Sequence, residues 1–304
     1  MKFQILGSVE AWAGRKQINL GSRKQRLVLA VLLLEANRLV SMDRLVDLVW
    51  EHNVPASARA SIQTLVSRLR AAFRQAGAAG PEIVNQGAGY VAHIDPLAID
   101  AHRFTGLVGA AGAADDERAV DLLDEALALW HGEPLAGVAS PDVAERLCSH
   151  LREGRWVALE DRMDAHLRLG SGRRLLAELT GLVAEHPLRQ RLVGQLMLAL
   201  YRDGRSSTAL DVYRTLRTRL AGELGLDPAP ELVQLESAIL RADASLAPVT
   251  RIEEAADPRL IPTDVGDRAA LLRSLLADES VLLMLSGTRD IDRVTAVIPR
   301  AGAA

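Results

Sequence analysis

The chain has 304 residues, 49% of them hydrophobic and 25% charged, with a formal net charge of −3 and one cysteine. That is the balance of a globular protein of about two domains, long enough to bury a sizeable core. It excludes an intramolecular disulfide, a CxxC redox pair and a cysteine-rich zinc site, and its longest apolar run, at Leu27 to Leu34, is too short to span a bilayer.

The N-terminus shows no charged segment followed by an apolar one, so a cytoplasmic protein without a membrane partner is expected. Charge is unevenly placed. Residues 1–95 carry 12 basic and 7 acidic side chains, a net +5, whereas the remainder carries 24 and 32, a net −8. A basic head on an acidic body points to a polyanion as the partner of the head.

Phe3, Ile5 and Leu6, then Gln17 to Leu20, read as short strands around a hairpin turn at Gly14 and Arg15. Ser22 can cap a helix carrying Leu27, Ala30, Val31 and Leu34 at helical spacing. Ser41 can cap a second, with Leu45, Leu48 and Val49 inward. Pro55 prepares a third, over about Ala56 to Arg74. Ile83 and Val84, then Tyr90 to Ile94, read as two strands joined by a turn over Asn85, Gln86, Gly87, Ala88 and Gly89.

Strand signals stop near residue 97. Helical stretches follow over Ala119 to Trp130, Val143 to Leu169, Arg173 to Glu185, Leu188 to Arg202, Ser206 to Leu220 and Ala229 to Arg241, with short connections. Gly170 and Gly204 lie 34 residues apart, and at that offset Leu175 aligns with Ala209, Leu179 with Tyr213 and Leu182 with Leu216. The period is that of a tetratricopeptide-like hairpin. Beyond about residue 244, Ala247, Pro248, Ile261, Pro262 and Gly266 read as linker, Arg268 to Ala277 as a helix and Val281 to Leu285 as a strand.

Strands, three helices and a hairpin, in that order, make a winged helix whose third helix enters the major groove. On that helix Ile62, Leu65, Val66, Leu69 and Phe73 fall within one sector of roughly 100° and face the core. Arg59, Gln63, Ser67, Arg70 and Arg74 share an adjacent sector, and Thr64 and Arg68 sit farther round. The segment from Ala56 to Arg74 has no acidic residue. An exposed helix serving only as a solvated face normally mixes charge signs; this one suits a polyanionic groove, with Arg23, Lys24, Arg59 and Arg74 toward phosphates and Gln63, Thr64, Ser67, Arg68 and Arg70 toward bases. Ser22, Arg23 and Lys24 open the first helix and suit either phosphate binding or plain capping. Asn85 and Gln86 suit either sugar–phosphate contact or turn formation.

Several strings carry a family resemblance: Ser67-Arg68-Leu69-Arg70 and Gly89-Tyr90 in the head; Ala126-Leu127-Ala128-Leu129-Trp130-His131-Gly132-Glu133-Pro134-Leu135, Gln195 through Arg205, and Glu223-Leu224-Gly225-Leu226-Asp227-Pro228 in the body. Over about residues 1–243 the chain resembles SARP-type transcriptional regulators, the AfsR, DnrI and RedD kind. The resemblance implies a mainly α protein. An OmpR-type winged-helix DNA-binding domain over 1–95 would precede an all-α, tetratricopeptide-like bacterial transcriptional activation domain over 96–243, with a linker and tail over 244–304. It further implies an activator of a secondary-metabolite gene cluster that binds promoter direct repeats and recruits RNA polymerase holoenzyme; the helical domain offers a surface for self-association or for polymerase. Asn85 stands where the family usually has Thr, and His131 where it usually has Arg. Larger relatives continue into an ATPase module, but no GxxxxGK[ST] occurs here.

The seven histidines form no HExxH or paired metal spacing, and Cys148 lacks a nucleophile signature. No enzyme, cofactor or metal site is therefore expected. Trp12, Trp50, Trp130 and Trp156 are scattered as core anchors rather than as a base-stacking platform. The alternative reading is a helical-repeat adaptor whose head binds protein.

Overall fold

The computed structural model describes residues 1–77 and 80–247. The chain divides into two compact units, Met1–Arg162 and a second that begins at Met163. As expected, a winged helix stands at the N-terminus and the rest is helical. The tail elements read at Arg268 to Ala277 and Val281 to Leu285, and the linker residues from Pro248 to Gly266, lie outside the described residues.

The first unit opens with an antiparallel sheet, β1 (Lys2–Gln4), β2 (Glu10–Ala13) and β3 (Lys16–Gln17), in that order. Ala13 pairs with Lys16, so Gly14 and Arg15 form a two-residue turn with Gly14 at φ +61°. β3 is shorter than expected, because Ile18 and Leu20 are drawn into the core. The Ser22 hydroxyl accepts from the Gln25 N–H at 3.3 Å and starts α1 (Arg23–Leu34). Every residue from Leu27 to Leu33 is buried, which makes α1 the central rod of the unit. Ser41 likewise accepts from the Arg44 N–H at 3.1 Å and starts α2 (Met42–Trp50). After Pro55 comes α3 (Ala58–Gln75), whose buried face is Ala58, Ile62, Leu65, Val66, Leu69 and Phe73. Phe73 meets Phe3 edge-on at 5.9 Å.

A two-residue strand, β4 (Val40–Ser41), pairs with β6 (Gly89–His93), which pairs in turn with β5 (Glu82–Gln86). The wing turn is tighter than the sequence suggests. Gln86 pairs with Gly89, leaving only Gly87 (φ +60°) and Ala88 in the turn, as hairpin twist favours. Asn85 and Gln86 therefore belong to β5.

Helix α4 (Asp100–Ala111), which the sequence reading missed, follows a 3₁₀ turn at Pro96–Ala98 and packs against α5 (Asp116–Leu127). Helix α5 ends three residues before Trp130, which lies in a loop and meets Phe104 edge-on at 5.4 Å. All four tryptophans are half-buried; Trp50 and Trp130 pack against the edge of the core, whose buried rings are Phe3, Phe73, Tyr90 and Phe104. The connection between β1 and β2 is threaded into this helical layer. Ile5 and Leu6 N–H donate to the Asp100 carboxylate at 2.9 Å, and Ile5, Leu6 and Gly7 carbonyls accept from Leu135, His131 and Ala136 N–H. Helix α6 (Pro141–Arg168) starts in this unit and buries Cys148, where burial pushes the thiol up to about 11.

The second unit contains the end of α6, then α7 (Gly172–Glu185), α8 (Gln190–Arg202), α9 (Ser206–Arg219) and α10 (Pro230–Leu240), with one wider helical turn at Leu220–Leu224. The 34-residue repeat has a structural counterpart. Gly170 and Gly204 both end a helix at φ near +77°, each followed by a residue whose N–H reaches back five positions, Ser171 to His166 O and Arg205 to Leu200 O. This is one glycine cap used twice. Leu175, Leu179, Ala209, Tyr213 and Leu216 are buried and Leu182 is half-buried.

Candidate nucleic-acid interface

The face of α3 opposite its buried stripe is open. Gln63, Ser67, Arg68 and Arg74 are exposed and make no hydrogen bond or ion pair with the described residues. Thr64 is exposed too, its hydroxyl donating to the Ala60 carbonyl at 3.0 Å. That bond is local to the helix and leaves the oxygen free to accept. Arg59, near the N-terminal end of α3, is ion-paired with Asp43 of α2. Both side chains are mostly exposed, and pairs of this kind contribute little net stability.

Arg70 differs from its neighbours. Its Nε–H donates to the Ile83 carbonyl of β5 at 2.8 Å, and its guanidinium lies 5.9 Å from the Tyr90 ring centroid. It braces the wing against α3. Asn85 and Gln86 are exposed on β5, toward the tip of the hairpin. The structure thus gathers Gln63, Thr64, Ser67 and Arg68 on one helical face and ties the wing to that helix through Arg70.

The start of α1 is engaged within the protein. Ser22 is the N-cap, the Arg23 Nε–H donates to the Val138 carbonyl at 2.8 Å, and the Lys24 ammonium lies 4.3 Å from the Trp50 centroid. Arg23 and Lys24 are nonetheless exposed side chains. Sequence reasoning missed Tyr90 as the buttress of Arg70 and Asp43 as the partner of Arg59. Neither had a local signal, since the partners are 20 and 16 residues apart.

Among the described residues no group of three His, Cys, Asp or Glu side chains could hold a metal ion. No described helix is long and apolar enough to cross a membrane.

Comparison with known proteins matches residues 15–92 to the family model described as "transcriptional regulatory protein, C terminal" and residues 99–240 to the bacterial transcriptional activator domain. AfsR, a regulatory protein of Streptomyces coelicolor, is 40% identical over 99% of this chain, in a match that takes in 31% of AfsR. The regulatory protein DnrI of Streptomyces peucetius is 34% identical over 81% of this chain and 94% of its own length. The chain therefore spans nearly all of DnrI but only about a third of AfsR. A solved structure of Mycobacterium tuberculosis EmbR, in complex with a low affinity phosphopeptide, superposes with a TM-score of 0.75 at 31% identity, covering 92% of this chain and 73% of that one.

Proposed function

We propose that this chain, which belongs to the SARP family of transcriptional regulators, is a sequence-specific DNA-binding activator of a secondary-metabolite gene cluster. The observation that carries the reading is the open, acid-free face of α3. Gln63, Thr64, Ser67 and Arg68 meet base edges in the major groove, where Arg grips guanine and Gln pairs with adenine. Arg59 and Arg74, on two ends of the same helix, meet phosphates; Arg59 exchanges Asp43 for a phosphate at little cost. The wing, held by Arg70, lays Asn85 and Gln86 along the sugar–phosphate backbone. Ser22, Arg23 and Lys24 add phosphate contacts at the start of α1.

In this reading residues 1–95 form the DNA-binding domain and 96–243 the activation domain. Copies bind head to tail on promoter direct repeats in the cytoplasm, and the helical domain recruits RNA polymerase holoenzyme. No catalytic step is assigned to any residue.

The test is the salt dependence of binding to promoter duplex. Affinity is expected to fall linearly in log–log, with a slope near −0.9 per phosphate neutralised. Arg74→Ala is expected to reduce that slope by about one such unit and to weaken binding alike on all sequences. Gln63→Ala is expected to relax discrimination at one base pair, by about 1–3 kcal/mol, measured by competition with single-substituted duplexes. A flat salt response of the intact protein would favour the adaptor reading instead.

A further inference from the structure

We propose that the second unit holds a binding site for a small apolar molecule carrying one ammonium group, in the cavity between the end of α6, α8 and α10. The cavity is about 510 Å³, within the range of small-molecule sites. Its walls are Leu167, Leu198, Leu232 and Leu235, and Gly194 lines it from α8. A Cβ at Gly194 would stand 3.1 Å from Leu232 Cδ2, so the missing side chain leaves room for the Leu232 methyl beside the cavity.

The polar groups select the charge of the occupant. Two carboxylates and one guanidinium line the cavity: Asp164, Glu231 and Arg191. Arg191 donates to Asp164 Oδ2 through Nη2 at 2.6 Å and Nε at 3.0 Å, and the Gln195 amide donates to Oδ1 at 2.7 Å. That carboxylate and that guanidinium neutralise each other. Glu231, in the first turn of α10, is exposed and makes no hydrogen bond or ion pair with the described residues. Nor is the chain entering α10 free to attract an anion. The Ala229 N–H already donates to Gln190 Oε1 at 2.7 Å, and Glu231 itself faces the positive end of the helix dipole. The cavity therefore carries one negative charge with no cationic side chain paired to it, at the edge of an apolar volume. An ammonium would pair with Glu231 while its apolar body buries against the leucines. The site does not depend on the DNA-binding reading.

Thermal unfolding of the full chain with octylamine, octanol and octanoate tests this, because a ligand bound to the folded state raises Tm by mass action. Octylamine is expected to raise Tm saturably, octanol less and octanoate not at all. Glu231→Gln, at an exposed position that tolerates the change, is expected to weaken octylamine roughly fivefold, the upper end for one partly exposed charge pair. Gly194→Leu, which fills the space, is expected to abolish the shift. Failure of octylamine to raise Tm overturns the proposal. So does a shift from octanol or octanoate as large as that from octylamine, or an octylamine shift that Glu231→Gln leaves intact.

Discussion

Gly89→Ala is expected to unseat the wing and abolish DNA binding while leaving the second unit folded. Gly89 pairs with Ser41 where β6 crosses β4. A Cβ there would lie 2.0 Å from the Val40 carbonyl oxygen and 2.8 Å from Ser41 Cα. Those are backbone atoms, which cannot swing aside as a side chain would. Strand β4 is only two residues long and runs directly into the N-cap of α2, so moving it disturbs α2 as well. The backbone of Gly89 is not in the left-handed region, so the requirement for glycine is close approach and not conformational freedom. Destabilisation of the head on the order of 3–5 kcal/mol is expected, the far tail of single substitutions. Urea unfolding followed by tryptophan fluorescence, all four tryptophans lying in the first unit, beside gel shift of promoter duplex, measures both consequences. Wild-type stability in Gly89→Ala would mean that β4 and β6 separate at little cost and that the wing is not seated by this crossing.

What the sequence could reveal divides along the range of the forces involved. Helices α1 and α2 were legible because a serine cap and an apolar stripe lie within a few residues of each other. The buried face of α3 was legible residue by residue, from Ile62 to Phe73, because one helix carries its whole pattern. Helix α4 was not legible. It contains Gly106 and Gly109, its N-cap is Ile99 with no side-chain bond, and it is fixed by packing on α5 and by Asp100 reaching Ile5 and Leu6, 95 and 94 residues away. The wing turn read too long because Asn85 and Gln86 are polar residues common in turns, whereas pairing with β6 keeps them in a strand. On the candidate site, composition exposed the outward face of α3. The bracing role of Arg70 depends on Ile83 O and Tyr90, which only the tertiary fold brings to it.

Asp100 is the buried joint between the start of the chain and the helical layer of the first unit, and its removal is expected to be as costly as the glycine change. Its two oxygens accept from Ile5, Leu6 and Ala101 N–H at 2.8–2.9 Å. Asp100→Ala strands three backbone donors in the core, each costing about 1–3 kcal/mol when unsatisfied, and is expected to unfold the first unit near ambient temperature. Asp100→Asn keeps the volume and one acceptor oxygen, so it folds less stably and isolates the effect of the charge. Burial pushes the carboxyl up to about 6, against the pull of the three N–H groups. An unfolded chain holds an aspartate near 3.9. Between those values the folded protein binds the proton more tightly than the unfolded one, so this contribution to stability is full below about pH 4 and is lost as pH rises through 6. Its size is at most about 3 kcal/mol. The asparagine variant has no such proton. The stability advantage of the wild type over Asp100→Asn is therefore expected to shrink from pH 4 to pH 7 and then stay level, read from urea midpoints of both proteins at matched pH. An advantage that instead grows with pH would show the three N–H donors outweighing burial, with Asp100 ionised throughout that range.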